Sequence, residues 1–159
     1  MLIGLISDTH VSQKRGVLPR RILDEFENVD LIIHMGDITH QKVLDELGQF
    51  APVISVKGNN DRLDLNETET VEIGNLKIVV NHGTRLASDL NRLYDFAVEN
   101  DADILITGHT HRPHFMVKNN ITFINPGSSN RPIKSDASIA MLNIDEKYSL
   151  ISNINFINL

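Results

Sequence analysis

The chain has 159 residues, 41% hydrophobic and 23% charged, which fits one ordinary globular domain with a real core and excludes a disordered chain. The formal net charge is -6 and aromatics make up 5%, with no Trp. This counts against a broad basic footprint for nucleic acid or anionic membrane, and against stacked-base platforms. There is no Cys, so disulfides, thiolate metal sites and a cysteine nucleophile are excluded.

In chain order, Leu2–Ile6 is a short apolar run that reads as a buried strand, ending in Ser7-Asp8-Thr9-His10. It lacks the basic region and cleavage pattern of a signal peptide. Pro19 can open a helix whose apolar face is Ile22, Leu23 and Phe26. Leu31–Met35 is a second strand, ending in Gly36-Asp37. A helical pattern through Val43, Leu44 and Leu47 closes at Gly48 and Pro52. Val53–Val56 is a third strand, ending in Lys57-Gly58-Asn59-Asn60-Asp61. Strand, polar turn, helix and strand in this order predict parallel crossover units.

The second half predicts more antiparallel pairing. Thr68–Ile73 and Leu76–Val80 flank Gly74-Asn75, a hairpin signal; the second strand ends in Asn81-His82-Gly83. Leu86, Leu90, Leu93, Ala97 and Val98 mark a helix over roughly Ser88 to Glu99. Asp103–Ile106 is a strand that leads into Gly108-His109-Thr110-His111. His114–Lys118 and Ile121–Ile124 flank Asn119-Asn120, a second hairpin. Asn125–Asn130 is a turn-rich loop. Ala137–Ile144 and Tyr148–Phe156 close the chain as strands around Asp145-Glu146. No repeat or linker interrupts residues 1–159, so they read as a single domain. No apolar run reaches membrane-spanning length, and the chain reads as cytoplasmic.

In open α/β sheets, ligands bind at the carboxyl ends of the strands. Here those ends carry Asp8, His10, Asp37, Asn59, His82, His109 and His111. Each has a plainer reading alone. Asp-x-His at a strand end is usually a capped turn, Gly-Asp a helix start, Gly-Asn a turn, and a lone His82 a satisfied polar residue. Together they form an oxygen and nitrogen donor set suited to divalent first-row metals. Seven donors exceed one ion and suit two, with Asp37 as the natural shared carboxylate. His34 lies inside a strand and reads as structural or supporting. His40 reads as a helix-start residue and His114 as a rim residue.

The ordered series Asp8-x-His10, Gly36-Asp37, Gly58-Asn59, His82-Gly83 and Gly108-His109-x-His111 resembles the calcineurin-like metallophosphoesterase superfamily. It looks most like the small single-domain bacterial and archaeal phosphodiesterases, and is also similar to the retromer scaffold subunit. The resemblance runs from Met1 to about Ser129 and includes Asn125-Pro126-Gly127-Ser128. It implies an α/β fold, a four-layer α-β-β-α sandwich with two mixed β-sheets. It implies one metal on Asp8, His10, Asp37 and His111, and the other on Asp37, Asn59, His82 and His109. The family's fourth motif commonly reads Gly-Asn-His followed by an acid; here Asn60 replaces the histidine. An amide can orient phosphate but cannot act as general acid. Asp37 and Asn60 are the expected catalytic residues.

The implied activity is hydrolysis of a small phosphodiester by a water or hydroxide activated at two divalent ions. Manganese is the first expectation, with nickel, zinc, iron or cobalt as alternatives. Without a histidine at position 60, esters with good leaving groups are favoured. The rival readings are a non-catalytic protein-interaction scaffold on the same fold, and a phosphomonoesterase or nuclease. Acidic charge and few aromatics count against long nucleic acid substrates. A homo-oligomer such as a dimer is left open.

Overall fold

The computed structural model describes residues 1–11, 17–86, 89–130, 132–133 and 135–159. Its first strand, β1 (Leu2–Ile6), alternates between two apolar surroundings. Ile3 and Leu5 face one core, and Ile6 faces another. Between them Gly4 leaves room for the Phe26 ring, since a Cβ there would lie 2.6 Å from Phe26 Cε1.

The chain continues through α1 (Arg20–Glu25), β2 (Leu31–His34), α2 (Gln41–Leu47) and β3 (Val53–Ser55). Then come β4 (Thr68–Ile73), β5 (Leu76–Asn81), α3 (Leu90–Glu99) and β6 (Ile104–Ile106). Four strands close it: β7 (His114–Lys118), β8 (Ile121–Asn125), β9 (Ser138–Asp145) and β10 (Leu150–Asn158). Two five-stranded sheets result, in the orders β10-β9-β1-β2-β3 and β4-β5-β6-β8-β7. Both are mixed. In the first, β1–β2 and β2–β3 are parallel while β9 pairs antiparallel with β1 and β10. In the second, β5–β6 and β6–β8 are parallel, and β4 and β7 are antiparallel edges.

Strand alternation accounts for the layers. Ile33, Ala140 and Leu142 of the first sheet meet Ile78, Val80, Ile106 and Ile124 of the second in an inter-sheet core. The opposite face of the first sheet, with Ile6, Ile32 and Ile139, is covered by Ile22, Val43 and Leu47 of α1 and α2. The outer face of the second, with Val79, Leu105 and Phe123, is covered by Leu93 and Ala97 of α3. The architecture is a four-layer α-β-β-α sandwich.

Local chemistry explains the boundaries. Asn119 and Asn120 both take positive φ, 49° and 64°, the conformation a tight type I′ hairpin requires. Asp89 caps α3, its side chain accepting from Asn91 N and Arg92 N; the helix start expected at Ser88 lies outside the described residues. The last strand begins at Leu150 and not at Tyr148. Asp145 Oδ1 accepts from Lys147 N and Tyr148 N, and this side-chain turn holds the intervening residues out of the ladder.

Candidate metal centre

Every donor expected at a strand end stands at the same edge of the sandwich. Asp8 and His10 follow β1, Asp37 follows β2, and Asn59 and Asn60 follow β3. His82 follows β5, and His109 and His111 follow β6. All five strands run parallel to a neighbour within their sheet. Backbone bonds stitch the loops: Asp8 N donates to Gly36 O, His10 N to Asp37 O, and Gly108 N to His82 O.

Two tight clusters of donor atoms form among the described residues, Asp8 with His10 and His111, and Asp8 with Asp37 and His82. Asp37 Oδ2 lies 3.4 Å from His10 Nε2 and 3.6 Å from His82 Nε2. Asp8 Oδ1 lies 3.1 Å from His111 Nε2 and 3.8 Å from His10 Nε2. The Gly108-His109-Thr110-His111 pair divides. The His111 ring sits 5.7 Å from that of His10, while the His109 ring stands edge-on to His82 at 5.1 Å. His109 lies outside both tight clusters. Asn59 is held at the centre, its Oδ1 3.2 Å from His82 Nε2.

Hydrogen bonds aim the donors. His82 Nδ1–H donates to Met35 O, so its Nε2 lone pair faces Asn59 Oδ1 and Asp37 Oδ2, two further lone-pair donors. Three lone pairs converging on one point require a proton or a cation between them. Asp8 Oδ2 takes Ser7 Oγ–H at 2.6 Å and His109 N–H at 3.2 Å. Its Oδ1 is buried, faces imidazole nitrogens, and receives no hydrogen bond. An orphaned buried carboxylate oxygen is costly unless a cation answers it. The residues present therefore fit divalent metal ions.

Charge states agree. Burial alone would raise the Asp8 and Asp37 carboxyls. The His111 imidazole and Ser7 hydroxyl beside Asp8, and the His82 imidazole and Asn60 beside Asp37, outweigh it and hold both below the usual range. Burial would lower His82, but the Asp37 hydrogen bond and the Asp8 and Asp37 charges raise it. Burial and the neighbouring His82 lower His109. The backbone is strained here as well. Asp8, His10, Asp37, His109 and His111 all have positive φ, between 41° and 62°, a region few non-glycine residues enter. Strain of this kind concentrates where side-chain placement is paramount.

Asn60, expected to orient phosphate, is turned to Asp37. Its backbone N–H donates to Asp37 Oδ1 at 2.8 Å and its side-chain amide to Oδ2 at 2.6 Å. Several supporting residues carried no role in the sequence reading. Asp61 ties the post-β2 and post-β3 loops by accepting from Thr39 N and Gly58 N. Asn125 donates to Gly108 O, Ser128 to Asp8 O, Ser129 to Ser7 O and Asn130 to Thr9 O. The turn-rich loop after β8 thus laces the first and last donor loops together. Its Asn and Ser content was the available signal. His34, His40 and His114 hold no place in either cluster.

Fold and donor edge together define a metallophosphoesterase-type α/β protein. Residues 1–147 match the calcineurin-like phosphoesterase superfamily domain, and the chain belongs to that family. It is 44% identical over 149 residues to the Probable metallophosphoesterase MJ0623 of Methanocaldococcus jannaschii, covering 92% of this chain and 78% of that one. It is 30% identical over 168 residues to the Phosphodiesterase MJ0936 of the same organism, covering 92% and 95%. Among solved structures, zinc-complexed Vps29 of Entamoeba histolytica matches with a TM-score of 0.84 at 28% identity, covering 100% and 98%. A structure described as a novel archaeal phosphodiesterase matches with a TM-score of 0.76 at 26% identity, covering 100% of each chain.

Proposed function

We propose that this chain is a metal-dependent phosphodiesterase built on a binuclear centre that shares Asp37. The observation that carries the reading is Asp37 Oδ2 lying between His10 Nε2 and His82 Nε2, at 3.4 and 3.6 Å. One carboxylate oxygen flanked by two imidazoles suits a pair of neighbouring cations. In this reading one ion takes Asp8, His10, Asp37 and His111, and the other Asp37, Asn59, His82 and His109. Manganese is the proposed metal; the zinc complex of the Vps29 relative supports keeping zinc beside it. The relative named as a phosphodiesterase supports the diester class. The reading takes residues 1–159 as one catalytic domain, acting in the cytoplasm on a small phosphodiester.

When bound, two divalent ions acidify water and neutralise phosphoryl charge. The chain's own part is orientation and proton control. Met35 O fixes the His82 tautomer, and Ser7 with His109 N fixes the Asp8 carboxylate. Asn60 grips both oxygens of Asp37. It has no acidic proton to give, so the leaving oxygen takes its proton from solvent and aryl esters are favoured over alkyl ones. Purified protein with manganese is expected to hydrolyse bis(p-nitrophenyl) phosphate, and Asp37→Ala to lose that activity. No turnover with manganese, nickel, cobalt or zinc overturns the reading.

A second reading, a protein-interaction scaffold, is favoured by one observation. The Vps29 likeness has a TM-score of 0.84, against 0.76 for the archaeal phosphodiesterase. Against it stands the complete donor set. A wild-type protein that binds a partner but turns over no ester, with partner binding unchanged in His82→Ala, supports the scaffold.

A further inference from the structure

A cleft of about 510 Å³ opens directly beside the centre, sharing Asn59 and His82 with it. Leu86 and Phe96, both half-buried, give it an apolar lining. The neutral and buried polar groups on its wall are already engaged. Asn81 donates to Glu67 O and Thr68 Oγ1 and accepts from Gly83 N. Thr84 donates to Asn59 Oδ1. Asp61 spends both oxygens on Thr39 N and Gly58 N. Three side-chain charges remain on the wall, Lys57, Arg85 and Glu67, all exposed.

We propose that this cleft seats one ester arm of the diester, and that Lys57 and Arg85 select an arm bearing an anionic group of its own. The inference rests on the phosphodiesterase reading. A phosphoryl group over Asn59 and His82 has one ester oxygen directed along the cleft, because those two residues form its inner wall. The arm's carbon skeleton lies against Leu86 and Phe96, which remove apolar surface from water. Asp61, the other carboxylate on the wall, is buried and turned to backbone N–H groups, so Lys57, Arg85 and Glu67 are the charges that face an arm. Neither Lys57 nor Arg85 makes an ion pair or side-chain hydrogen bond among the described residues, so both are available to an incoming carboxylate or phosphate.

The test compares two p-nitrophenyl diesters of one shape, whose second arm is 4-carboxyphenyl or its neutral 4-carbamoylphenyl counterpart. Both arms' products are followed in the manganese-loaded protein. A charge-assisted contact is expected to favour the carboxylate by about tenfold in kcat/KM. Arg85→Gln and Lys57→Gln should each cut that ratio several-fold. A 4-phosphonooxyphenyl arm then separates phosphate from carboxylate as the preferred anion. Equal kcat/KM for charged and neutral arms, or a ratio that neither substitution moves, overturns the subsite and leaves the phosphodiesterase reading standing. If no diester is turned over, calorimetric binding of the carboxyphenyl diester decides. Binding weakened by Arg85→Gln keeps the subsite and sinks the enzyme; no binding sinks both.

Discussion

His34 is a histidine without a place among the metal donors, and its surroundings forbid it a charge. Gly36 N–H donates to its Nδ1 at 3.1 Å, so Nε2 carries the proton and faces Thr9 Oγ1 at 3.2 Å. Burial pushes its pKa from the ordinary 6.5 down to about 3. The sign follows from proton counting. Above pH 6.5 neither folded nor unfolded chain protonates this ring. Between 6.5 and about 3 only the unfolded chain does, so stability falls as pH falls, by at most about 1.4 kcal/mol per pH unit. Urea midpoints across that window should drop in the wild type and less steeply in His34→Gln. Asn60 supports a second prediction at this scale. If it acts by holding Asp37, Asn60→Ala should weaken metal binding by roughly 10- to 100-fold and lower kcat, with KM for the diester little changed. A rise in KM at unchanged metal affinity would instead make it a phosphate contact.

Between residue and molecule, the donor loops depend on what is missing from two glycines. A Cβ on Gly58 would stand 2.1 Å from Asp37 N and 2.2 Å from Asp37 Oδ1. On Gly108 it would stand 2.0 Å from Ser7 Oγ and 3.1 Å from Asp8 Oδ2. The neighbours of Gly58 are backbone and a fixed carboxylate, which cannot swing away, while Gly108 faces the buried Ser7 hydroxyl that donates to Asp8. Gly58→Ala should therefore displace Asp37, lowering both the melting temperature and the metal content of the purified protein; an unchanged metal content would show the loop to be softer than its packing suggests. These loops also mark the limit of what could be read ahead of the structure. Strand ends, both hairpins and the placing of seven candidate donors at those ends were legible, because apolar runs stop where polar residues and glycines begin. The positive φ of five donors was not, since Asp and His tolerate that region without requiring it. Nor was Asn60 turning to Asp37, because one amide fits a phosphate or a carboxylate equally well. The lacing by Ser128, Ser129 and Asn130 joins segments over a hundred residues apart and leaves no local trace.

At the scale of the whole molecule, the donors divide between the two sheets. Asp8, His10, Asp37 and Asn59 follow strands of one, and His82, His109 and His111 follow strands of the other. An α/β half followed by more antiparallel pairing could be anticipated from crossover units and hairpins, but the four layers and the stacking of one sheet's donor edge over the other's came from the family resemblance alone. Its consequence is that cations would be shared across the inter-sheet core that Ile3, Leu5, Val80 and Ile106 build. They would also replace the repulsion of facing lone pairs at Asp8, Asp37 and His82 with attraction. Metal therefore binds the folded chain far better than the unfolded one, and mass action stabilises it by about 2.7 kcal/mol at a hundredfold excess over Kd. For a domain of this size that is a rise of very roughly 10 °C in Tm. Chelator should lower the Tm of the loaded protein by this order, with saturating manganese restoring it. Asp37→Ala should lose most of the metal-dependent rise if, as proposed, it removes the one group that both ions would share. A variant whose Tm still climbs by the full amount with manganese would mean that the ions are held without Asp37, and the shared-carboxylate arrangement would have to be abandoned.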